Sequence, residues 1–371
     1  MRIADFSLQD PSAVITPSLL YHLGAMEENL RTTIAIAGDV KRLWPHVKSH
    51  KTRELIERSI QHGITRFKCA TIAEAETAAR AGAGHVLLAY PLVGPNIARF
   101  LQLSRAFPQT TFWATGDSEP MLRQLADAAT DAGIVLPVLL DVNTGLDRTG
   151  VSLQDAHELY RSVSSMKGLH LRGLHCYDGQ NHQSSVEQRS HAVEEINAAV
   201  LRLKQGIRAD GLCCDTVILG GTPSFPMHAR MTEDFLSPGT TFLFDSGYGT
   251  AFPDLDLCVA AAVLTRVVSH PKQGLFTLDL GYKGIASDPP DSRGILLGVP
   301  HASSCFQNEE HWVFKMDEGH EDARPPLGSV LYVIPAHICP TSALYKSALI
   351  VQDGSIVDEW NIVARDRKLE F

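Results

Sequence analysis

The sequence lacks the features that mark membrane, exported and nucleic-acid-binding proteins. No apolar run in its 371 residues approaches the roughly 20 residues that a membrane-spanning helix needs. The net charge is −9 and lysines and arginines form no basic tract, so we expect neither nucleic acid nor membrane as a partner. The seven cysteines, an odd and scattered set, form no disulfide framework, and the N-terminal segment MRIADFSLQD has no apolar core of a signal peptide. We therefore expect reduced thiols and a cytoplasmic location.

The first two thirds of the chain alternate short β-rich runs with helical stretches. The runs that we predict as strands are 40–48, 64–69, 85–90, 110–114, 135–141, 169–177, 216–219 and 241–244. Eight strands with intervening helices indicate a parallel sheet covered by helices, and eight is the number that closes a TIM-type (β/α)8 barrel. A doubly wound open sheet is the alternative, although no glycine-rich dinucleotide fingerprint follows the first run.

The pattern changes after about residue 249. Five β-branched or aromatic runs follow without a long helical pattern between them, at 258–269, 275–280, 311–315, 330–334 and 348–351. A proline-rich stretch at 287–291 is predicted as a surface loop. The fold class that we predict is thus α/β, with a barrel over 15–248 and a C-terminal all-β domain over 249–371, which residues 1–14 could join.

The most informative segment is Trp44-Pro-His-Val-Lys48-Ser-His50-Lys51, in which one lysine has a histidine two residues to either side. In an extended strand His46, Lys48 and His50 would share a face. An amine in such a partly desolvated pocket can lose its proton and attack a carbonyl to form a Schiff base. The ordinary alternative is a solvated strand end, since most lysines are exposed.

Polar and glycine-bearing segments follow three later strands, where the working residues of a barrel lie. The first is Asp141-Val-Asn-Thr-Gly-Leu-Asp-Arg148, whose arginine could clamp a carboxylate or a phenolate-type oxygen or could be a surface residue. The second, starting at His175, includes Tyr177. The third is Leu219-Gly-Gly-Thr222, which could let backbone N–H groups approach a phosphate.

A fourth signal is Pro335-Ala-His337-Ile-Cys339 in the predicted β domain. His and Cys two residues apart on a strand would present an imidazole and a thiolate to one metal ion, and the open positions would suit catalysis. A buried core cysteine is the alternative. The segment Glu309-Glu310-His311 could orient a metal ligand from outside the coordination shell.

Together these segments resemble the D-threonine aldolase and D-serine dehydratase family of fold-type III pyridoxal-phosphate enzymes. The matching segments, in family order, are 45–51, 141–151, 175–177, 220–222, 237–240 with Asp245 and Tyr248, 279–283, 310–311 and 337–339. The resemblance implies an alanine-racemase-like barrel plus a β domain, a homodimer, and a small β-hydroxy-D-amino acid as substrate.

The resemblance also implies cofactors and site residues. The cofactors are pyridoxal 5′-phosphate and a divalent metal, with zinc favoured by a thiolate ligand and manganese or magnesium as alternatives. The implied residues are Lys48, His50, Arg148 and Tyr177 for catalysis, Lys48, His46, Tyr177, Gly220, Gly221, Thr222, Asp245 and Tyr248 for the pyridoxal phosphate, and His337 and Cys339 for the metal.

The reaction itself stays open between two outcomes. Loss of water from the β-hydroxy-D-amino acid gives a keto acid and ammonia, whereas retro-aldol cleavage gives glycine and an aldehyde. Family dehydratases resemble His-x-Cys and family aldolases His-x-Asp, so Cys339 favours the dehydratase. More remote alternatives are an amino-acid racemase, a non-catalytic pyridoxal-phosphate-binding protein, and a barrel aldolase that uses Lys48 without a cofactor.

Overall fold

The structure is a computed structural model that describes residues 1–290 and 292–371. The chain folds into two compact units. The barrel unit comprises Thr33–Lys48, Arg53–Gly239 and Asp366–Phe371, and the β unit comprises Met1–Thr32, Ser49–Thr52 and Thr240–Arg365. The predicted domain bounds of 15–248 and 249–371 stay a prediction. The strand Ser18–His22 belongs to the β unit because it pairs with Ala261–Ser269.

The barrel unit contains a parallel sheet. In spatial order its strands are Phe235–Leu236, Thr216–Leu219, Leu169–Cys176, Leu136–Asn143, Thr111–Gly116, His85–Leu88 and Arg66–Cys69, with the short strand Val151–Ser152 beside Leu136–Asn143. The extended segment 43–46 lies between the two edges, because Leu43 pairs with Leu236 and His46 pairs with Lys68, both in parallel. This segment is the eighth member of the barrel wall and closes the sheet. The predicted α/β barrel with a mostly-β second part is therefore confirmed.

Helices cover the outside of this sheet. They are Arg53–Gln61, Ile72–Arg80, Pro95–Ala106, Glu119–Asp131, Ala156–Val163, Val186–Ala209 and Phe225–Met231, and a further helix, Leu23–Ala37, runs from the β unit into the barrel unit. Two of them start at side-chain caps, where Thr71 accepts the N–H of Glu74 and Ser185 accepts that of Gln188. Among the described residues, no helix is both long and apolar enough to cross a membrane.

The barrel interior is filled by large apolar side chains. Trp44 packs edge-on against Trp113, with ring centroids 5.6 Å apart, and Leu87, Leu139 and Ile218 complete the cluster. Each comes from a different member of the barrel wall, as expected for a barrel core. The packed layer leaves the polar residues at the carboxyl ends of the strands to form a site.

The β unit is built on mostly antiparallel strands, with parallel pairing between Ser18–His22 and Ser347–Gln352 and between Arg2–Ile3 and Cys258–Val259. The order of the strands in the main sheet is Ala302–Gln307, Trp312–Met316, Leu275–Leu278, Ala261–Ser269, Ser18–His22, Ser347–Gln352 and Ser355–Asn361. The strand Val330–Pro335 also pairs with Ala261–Ser269, and Gly294–Leu296 pairs with Val330–Pro335. A separate two-stranded sheet pairs Arg2–Ile3 with Cys258–Val259. Two short helices, Ser246–Ala251 and Ile338–Leu344, belong to this unit. Residues 287–290 of the predicted surface loop are exposed and lie outside helices and strands, and Asp291 lies outside the described residues.

Two predicted strands are wrong. The run 40–48 contains 3₁₀ turns at Val40–Arg42 and Val47–Ser49 with only 43–46 extended between them. The run 241–244 is a turn, in which Phe244 has a φ of +50° that no strand residue adopts. The strand that takes its place is Phe235–Leu236, which is too short to give a periodic signal.

Candidate active site

Lys48 lies at the carboxyl edge of the barrel, in the 3₁₀ turn Val47–Ser49. The N–H of His46 donates to the carbonyl of Pro238 (2.8 Å), and the N–H of Lys68 donates to that of Pro45 (2.9 Å). These bonds hold the extended segment 43–46 to its neighbours on both sides, up to His46, the residue before the turn. The expected sharing of one strand face by His46, Lys48 and His50 is therefore wrong, because the extended backbone ends before Lys48.

The two histidines around Lys48 are bonded to nearby backbone. His46 is buried, and its Nδ1 accepts the N–H of Lys48 at 3.3 Å. His50, in the β unit, accepts the N–H of Thr52 at Nδ1 (3.2 Å). Burial and the adjacent Lys51 charge lower the pKa of His50 to about 3, so its ring is neutral at physiological pH. Both rings shape the backbone around Lys48.

A buried carboxylate–imidazole pair lies at the ends of two neighbouring strands. Asp141 Oδ1 is 2.7 Å from Nδ1 of His175, and its Oδ2 accepts the hydroxyl of Thr149 at 2.9 Å. Burial opposes ionisation of Asp141, but these hydrogen bonds keep its pKa below the ordinary value. Burial lowers the pKa of His175, so the ring is neutral and donates Nδ1–H to the carboxylate. Its Nε2 is buried without a hydrogen-bond partner among the described residues and can accept a hydrogen bond from a ligand.

Tyr177 is the centre of the cationic part of the barrel site. The guanidinium carbon of Arg148 lies 4.9 Å from the ring centroid, and the Nζ of Lys68 lies 5.4 Å from it. Arg148 is thus not an isolated loop residue, since it contacts the aromatic ring that follows another strand. Sequence reasoning missed Lys68; its only signal was a lysine between the apolar residues Phe67 and Cys69 in the strand Arg66–Cys69.

The loop after Thr216–Leu219 passes close to Tyr177. A Cβ added at Gly221 would lie 2.9 Å from Cε2 of the tyrosine ring, which leaves no room for a side chain there. The hydroxyl of Thr222 accepts the N–H of Gly239 at 3.0 Å. The backbone of this loop is therefore held against the ring, which is the arrangement that a phosphate-binding loop needs.

A buried polar network supports the same loop. Ser224 accepts the N–H of Gly221 (3.1 Å) and donates to Asp178 (2.8 Å), whose other oxygen is 3.0 Å from Nε2 of His228. Gly220 has a φ of +82°, and a Cβ there would lie 2.9 Å from Cδ2 of His228. The network, which spans three segments of the chain, was not predictable from a Gly-Gly-Thr motif alone.

The second group of predicted residues lies in the β unit. His337 immediately precedes the helix Ile338–Leu344 and Cys339 is its second residue, so the expectation that they share a strand face is wrong. Cys339 is nevertheless close enough to influence the His337 ring, and Nδ1 of His337 is 2.9 Å from Oδ2 of Asp288. Burial opposes protonation of His337, but Cys339 and Asp288 raise its pKa to about 9. Among the described residues no cluster of three or more His, Cys, Asp or Glu side chains is placed to hold a metal ion.

Asp245 positions this pair. Its Oδ1 accepts the N–H of Tyr248 (2.9 Å) and its Oδ2 accepts the N–H of Ile338 (3.0 Å), so it caps one helix and holds the start of another. Burial raises the pKa of Asp245 to about 6 despite these bonds. Tyr248 packs against the ring of Phe252 at 5.6 Å. The predicted contacts of Asp245 and Tyr248 with pyridoxal phosphate stay predictions.

The acidic cluster near residue 310 is placed differently from what we expected. Glu309 and Glu310 form ion pairs with Lys283, at 2.7 and 3.0 Å, and all three side chains are exposed. Asp288, which the sequence reasoning did not single out, is the carboxylate that contacts His337. The barrel unit thus brings together His46, Lys48, Arg148, Tyr177 and the loop Gly220–Thr222, and the β unit brings together Asp245, Tyr248, His337 and Cys339.

The chain is similar to proteins of known family over nearly its whole length. Residues 21–246 match the alanine racemase N-terminal domain, and residues 260–351 match the putative serine dehydratase domain. Identity to the D-threonine aldolase of Arthrobacter sp is 32% over 370 residues, which span 96% of this chain and 94% of that protein. Identity to the D-threo-3-hydroxyaspartate dehydratase of Delftia sp. (strain HT23) is 25%, over 92% of this chain and 95% of that protein. The solved D-threonine aldolase of Filomicrobium marinum superposes with a TM-score of 0.87 at 27% identity, over 98% of this chain and 99% of that one.

Proposed function

The chain belongs to the alanine racemase N-terminal domain family, and on that premise we propose that it is a pyridoxal 5′-phosphate-dependent lyase of β-hydroxy-D-amino acids. The family resemblance predicted from the sequence is confirmed. The observation that carries the proposal is the placement of Lys48 at the carboxyl edge of the barrel, in one unit with the Arg148–Tyr177 contact and the loop Gly220–Thr222. An amine, an aromatic ring and a glycine loop there fit a phosphorylated aldehyde.

The residues of the barrel unit fit this cofactor on three counts. Gly221 can carry no side chain beside Tyr177, which brings loop backbone close to any phosphate bound there. Arg148, packed on Tyr177, supplies a positive charge beside this loop. The buried Nε2 of His175 has no hydrogen-bond partner among the described residues, as expected of an atom that contacts a ligand. Lys48 would hold the aldehyde carbon, and Gly220–Thr222 would hold the phosphate.

The His337–Cys339 pair fits a divalent metal. An imidazole and a neighbouring thiol become two adjacent ligands when the thiol loses its proton. The carboxylate of Asp288 on Nδ1 is the outer partner that metal-binding histidines commonly have. Two protein ligands leave positions for the oxygen of a substrate, and the thiolate favours zinc. We propose that His337 and Cys339 hold this metal.

In the reaction the protein supplies binding and proton transfer. When bound, pyridoxal phosphate draws electrons away from Cα of the amino acid and the metal draws electrons away from its β-hydroxyl. Lys48 removes the Cα proton at Nζ. Arg148, packed on Tyr177, supplies a fixed cation for an anionic oxygen of the ligand, and Asp141 keeps His175 in the tautomer whose Nε2 accepts a proton.

We propose elimination of water as the outcome, and Cys339 is the residue that supports it. The Cα–H and Cβ–OH bonds break and water leaves. The released enamine becomes an imine, which a water molecule hydrolyses to the keto acid and ammonia. Retro-aldol cleavage is the second candidate, favoured by the likeness to the aldolase of Arthrobacter sp. There the β-hydroxyl loses its proton, the Cα–Cβ bond breaks, and Cα takes up a proton, so that glycine and an aldehyde leave.

Product analysis separates these outcomes. The protein loaded with pyridoxal phosphate and zinc is incubated with D-threonine, D-serine and 3-hydroxy-D-aspartate, and the products are identified by mass spectrometry. We expect keto acid and ammonia from at least one of them, with the L-enantiomers as negative controls. Glycine with an aldehyde would establish the retro-aldol reaction instead. No turnover of any of the three D-amino acids would contradict the proposed lyase.

A second prediction concerns the glycine loop. Gly221→Ala would place a methyl group 2.9 Å from the Tyr177 ring, so the ring or the loop must shift. Overpacking of this kind costs about 1–3 kcal/mol, and we expect the affinity for pyridoxal phosphate to fall on the order of tenfold. Absorbance titration of the cofactor-free protein measures it. Gly84→Ala is the matched control, because the nearest atom to its new Cβ lies at an ordinary 3.5 Å; equal affinities in the two variants would contradict the assignment of the loop.

We further propose that the protein acts as a homodimer in the cytoplasm. The seven cysteines are free thiols, which agrees with a reducing compartment. The family resemblance supports the dimer.

A further inference from the structure

Lys68 is a buried amine that none of the assigned roles uses. Its residue is 3% exposed, although lysines are almost never buried without a partner. It lies on the strand Arg66–Cys69, beside His46 on one side and Leu87 on the other. Because Leu87 belongs to the cluster that fills the barrel, Lys68 points into the barrel as well.

The charged groups around Lys68 come from several elements. Lys48 and Arg148 repel its positive charge, whereas Asp141 and Asp178 attract it. Burial is the largest influence and, together with the Lys48 charge, lowers the pKa of Lys68 to about 7. The amine is therefore close to the point at which it gains or loses a proton under physiological conditions.

Both neighbouring carboxylates are already bonded to other groups. Asp141 is bonded to His175 and Thr149. Asp178 is bonded to Ser224 and His228 and also accepts a side-chain N–H of Asn181, at 2.9 Å. The pKa of each carboxylate is lowered by these bonds against the effect of burial, so both are ionised. Neither is placed as the dedicated counter-ion of Lys68, which instead lies over the Tyr177 ring.

We propose that Lys68 is a further binding residue of the active site, whose amine pairs as an ammonium with an anionic oxygen that the ligand brings. The inference rests on the proposed function. The anionic oxygen comes either from the pyridoxal phosphate or from the carboxylate of the amino acid. Lys48 and Arg148 already offset the charges of Asp141 and Asp178 in this part of the barrel, so a protonated Lys68 has no counter-charge until an anion enters.

Pairing with an anion favours the protonated amine, so binding is accompanied by proton uptake at Lys68. This property separates a binding role from a structural one, because a lysine that only filled space would leave the proton balance unchanged. It also makes the inference measurable without turnover.

The test uses Lys68→Met, which keeps the length of the side chain and removes its charge. Lys167→Met, at an exposed lysine of the same unit, is the control. One arm titrates the cofactor-free protein with pyridoxal phosphate; the other titrates the loaded protein with D-alanine, which has no β-hydroxyl. Calorimetry at pH 8 in two buffers of different ionisation enthalpy gives the protons taken up in each arm.

We expect Lys68→Met to lower the affinity for one of the two ligands on the order of tenfold and to remove the proton uptake in that arm. Lys167→Met is expected to match wild type. Weaker binding of pyridoxal phosphate would identify the cofactor as the source of the anion. Weaker binding of D-alanine would identify the substrate carboxylate as the source. A folded Lys68→Met protein with wild-type affinities and wild-type proton uptake in both arms would overturn the inference.

Lys68→Arg replaces Lys68→Met if that variant does not fold. The guanidinium stays charged, so we expect binding within a few-fold of wild type but no proton uptake. Wild-type proton uptake in Lys68→Arg would overturn the inference. If wild type itself binds no pyridoxal phosphate, the proposed function fails, and inorganic phosphate and acetate become the probes. We then expect their addition to cause proton uptake in wild type but not in the Lys68 variant. Absence of proton uptake in wild type would overturn the inference.

Discussion

Lys48→Ala is expected to remove both the activity and the visible absorbance that pyridoxal phosphate acquires when it is bound to the protein. The variant loses the amine that would hold the aldehyde carbon and the group that would move the Cα proton. A positioned acid–base group alone contributes about 10²–10⁴-fold to a rate, so we expect turnover to fall by at least about 10³-fold. The structure supports this assignment through the position of Lys48 at the barrel edge, in one unit with Tyr177, Arg148 and the glycine loop.

The matched control is Lys51→Gln, which removes the charge of the other lysine in the segment and keeps most of its length. Absorbance spectra and turnover with the best substrate are measured for wild type and for both variants. We expect Lys51→Gln to keep the spectrum and most of the activity. Retention of the bound-cofactor absorbance in Lys48→Ala would contradict the assignment, and its loss in Lys51→Gln alone would move the assignment to Lys51.

The parts of the fold that the sequence predicted are those that depend on local periodicity. The strand Thr216–Leu219 has the predicted bounds, because its short apolar run determines it locally. The two neighbouring segments at which the barrel closes were predicted poorly. The segment 43–46 and the strand Phe235–Leu236 are only a few residues long and are held by their pairing with each other, which is a long-range contact.

The candidate site shows the same limit. The motifs around Lys48, Gly220 and His337 could be found because each is a run of adjacent residues. Lys68 could not, since its significance comes from burial and from its distance to a tyrosine more than a hundred positions away. His337 and Cys339 were found through an assumed strand face, although they lie at the start of a helix. A spacing of two residues allows contact in both geometries.

Removal of the metal is expected to stop turnover while pyridoxal phosphate remains bound, because the two groups would be held by different residues. The cofactor would be held by Lys48 and the glycine loop, and the metal by His337 and Cys339. A metal acting as a Lewis acid lowers a barrier by several kcal/mol, which corresponds to a loss on the order of 10³-fold. Exhaustive chelation followed by absorbance, activity and metal analysis measures it, and re-addition of zinc should restore turnover.

Cys339→Ser should reproduce the chelated state, since a hydroxyl is a poor ligand where a thiolate is expected. Cys305→Ser is the matched control, because Cys305 is an exposed free thiol of the same unit. We expect the Cys339 variant to lose bound zinc and turnover but to keep the absorbance of the bound cofactor, and the Cys305 variant to keep all three. Full activity after chelation, verified by the absence of metal from the protein, would remove the metal from the reaction. Loss of zinc from Cys305→Ser and not from Cys339→Ser would place the site elsewhere in the β unit. Because the thiolate of Cys339 is also the residue that favours elimination over cleavage, a Cys339→Asp variant that binds manganese and releases glycine would link the choice of reaction to this single ligand.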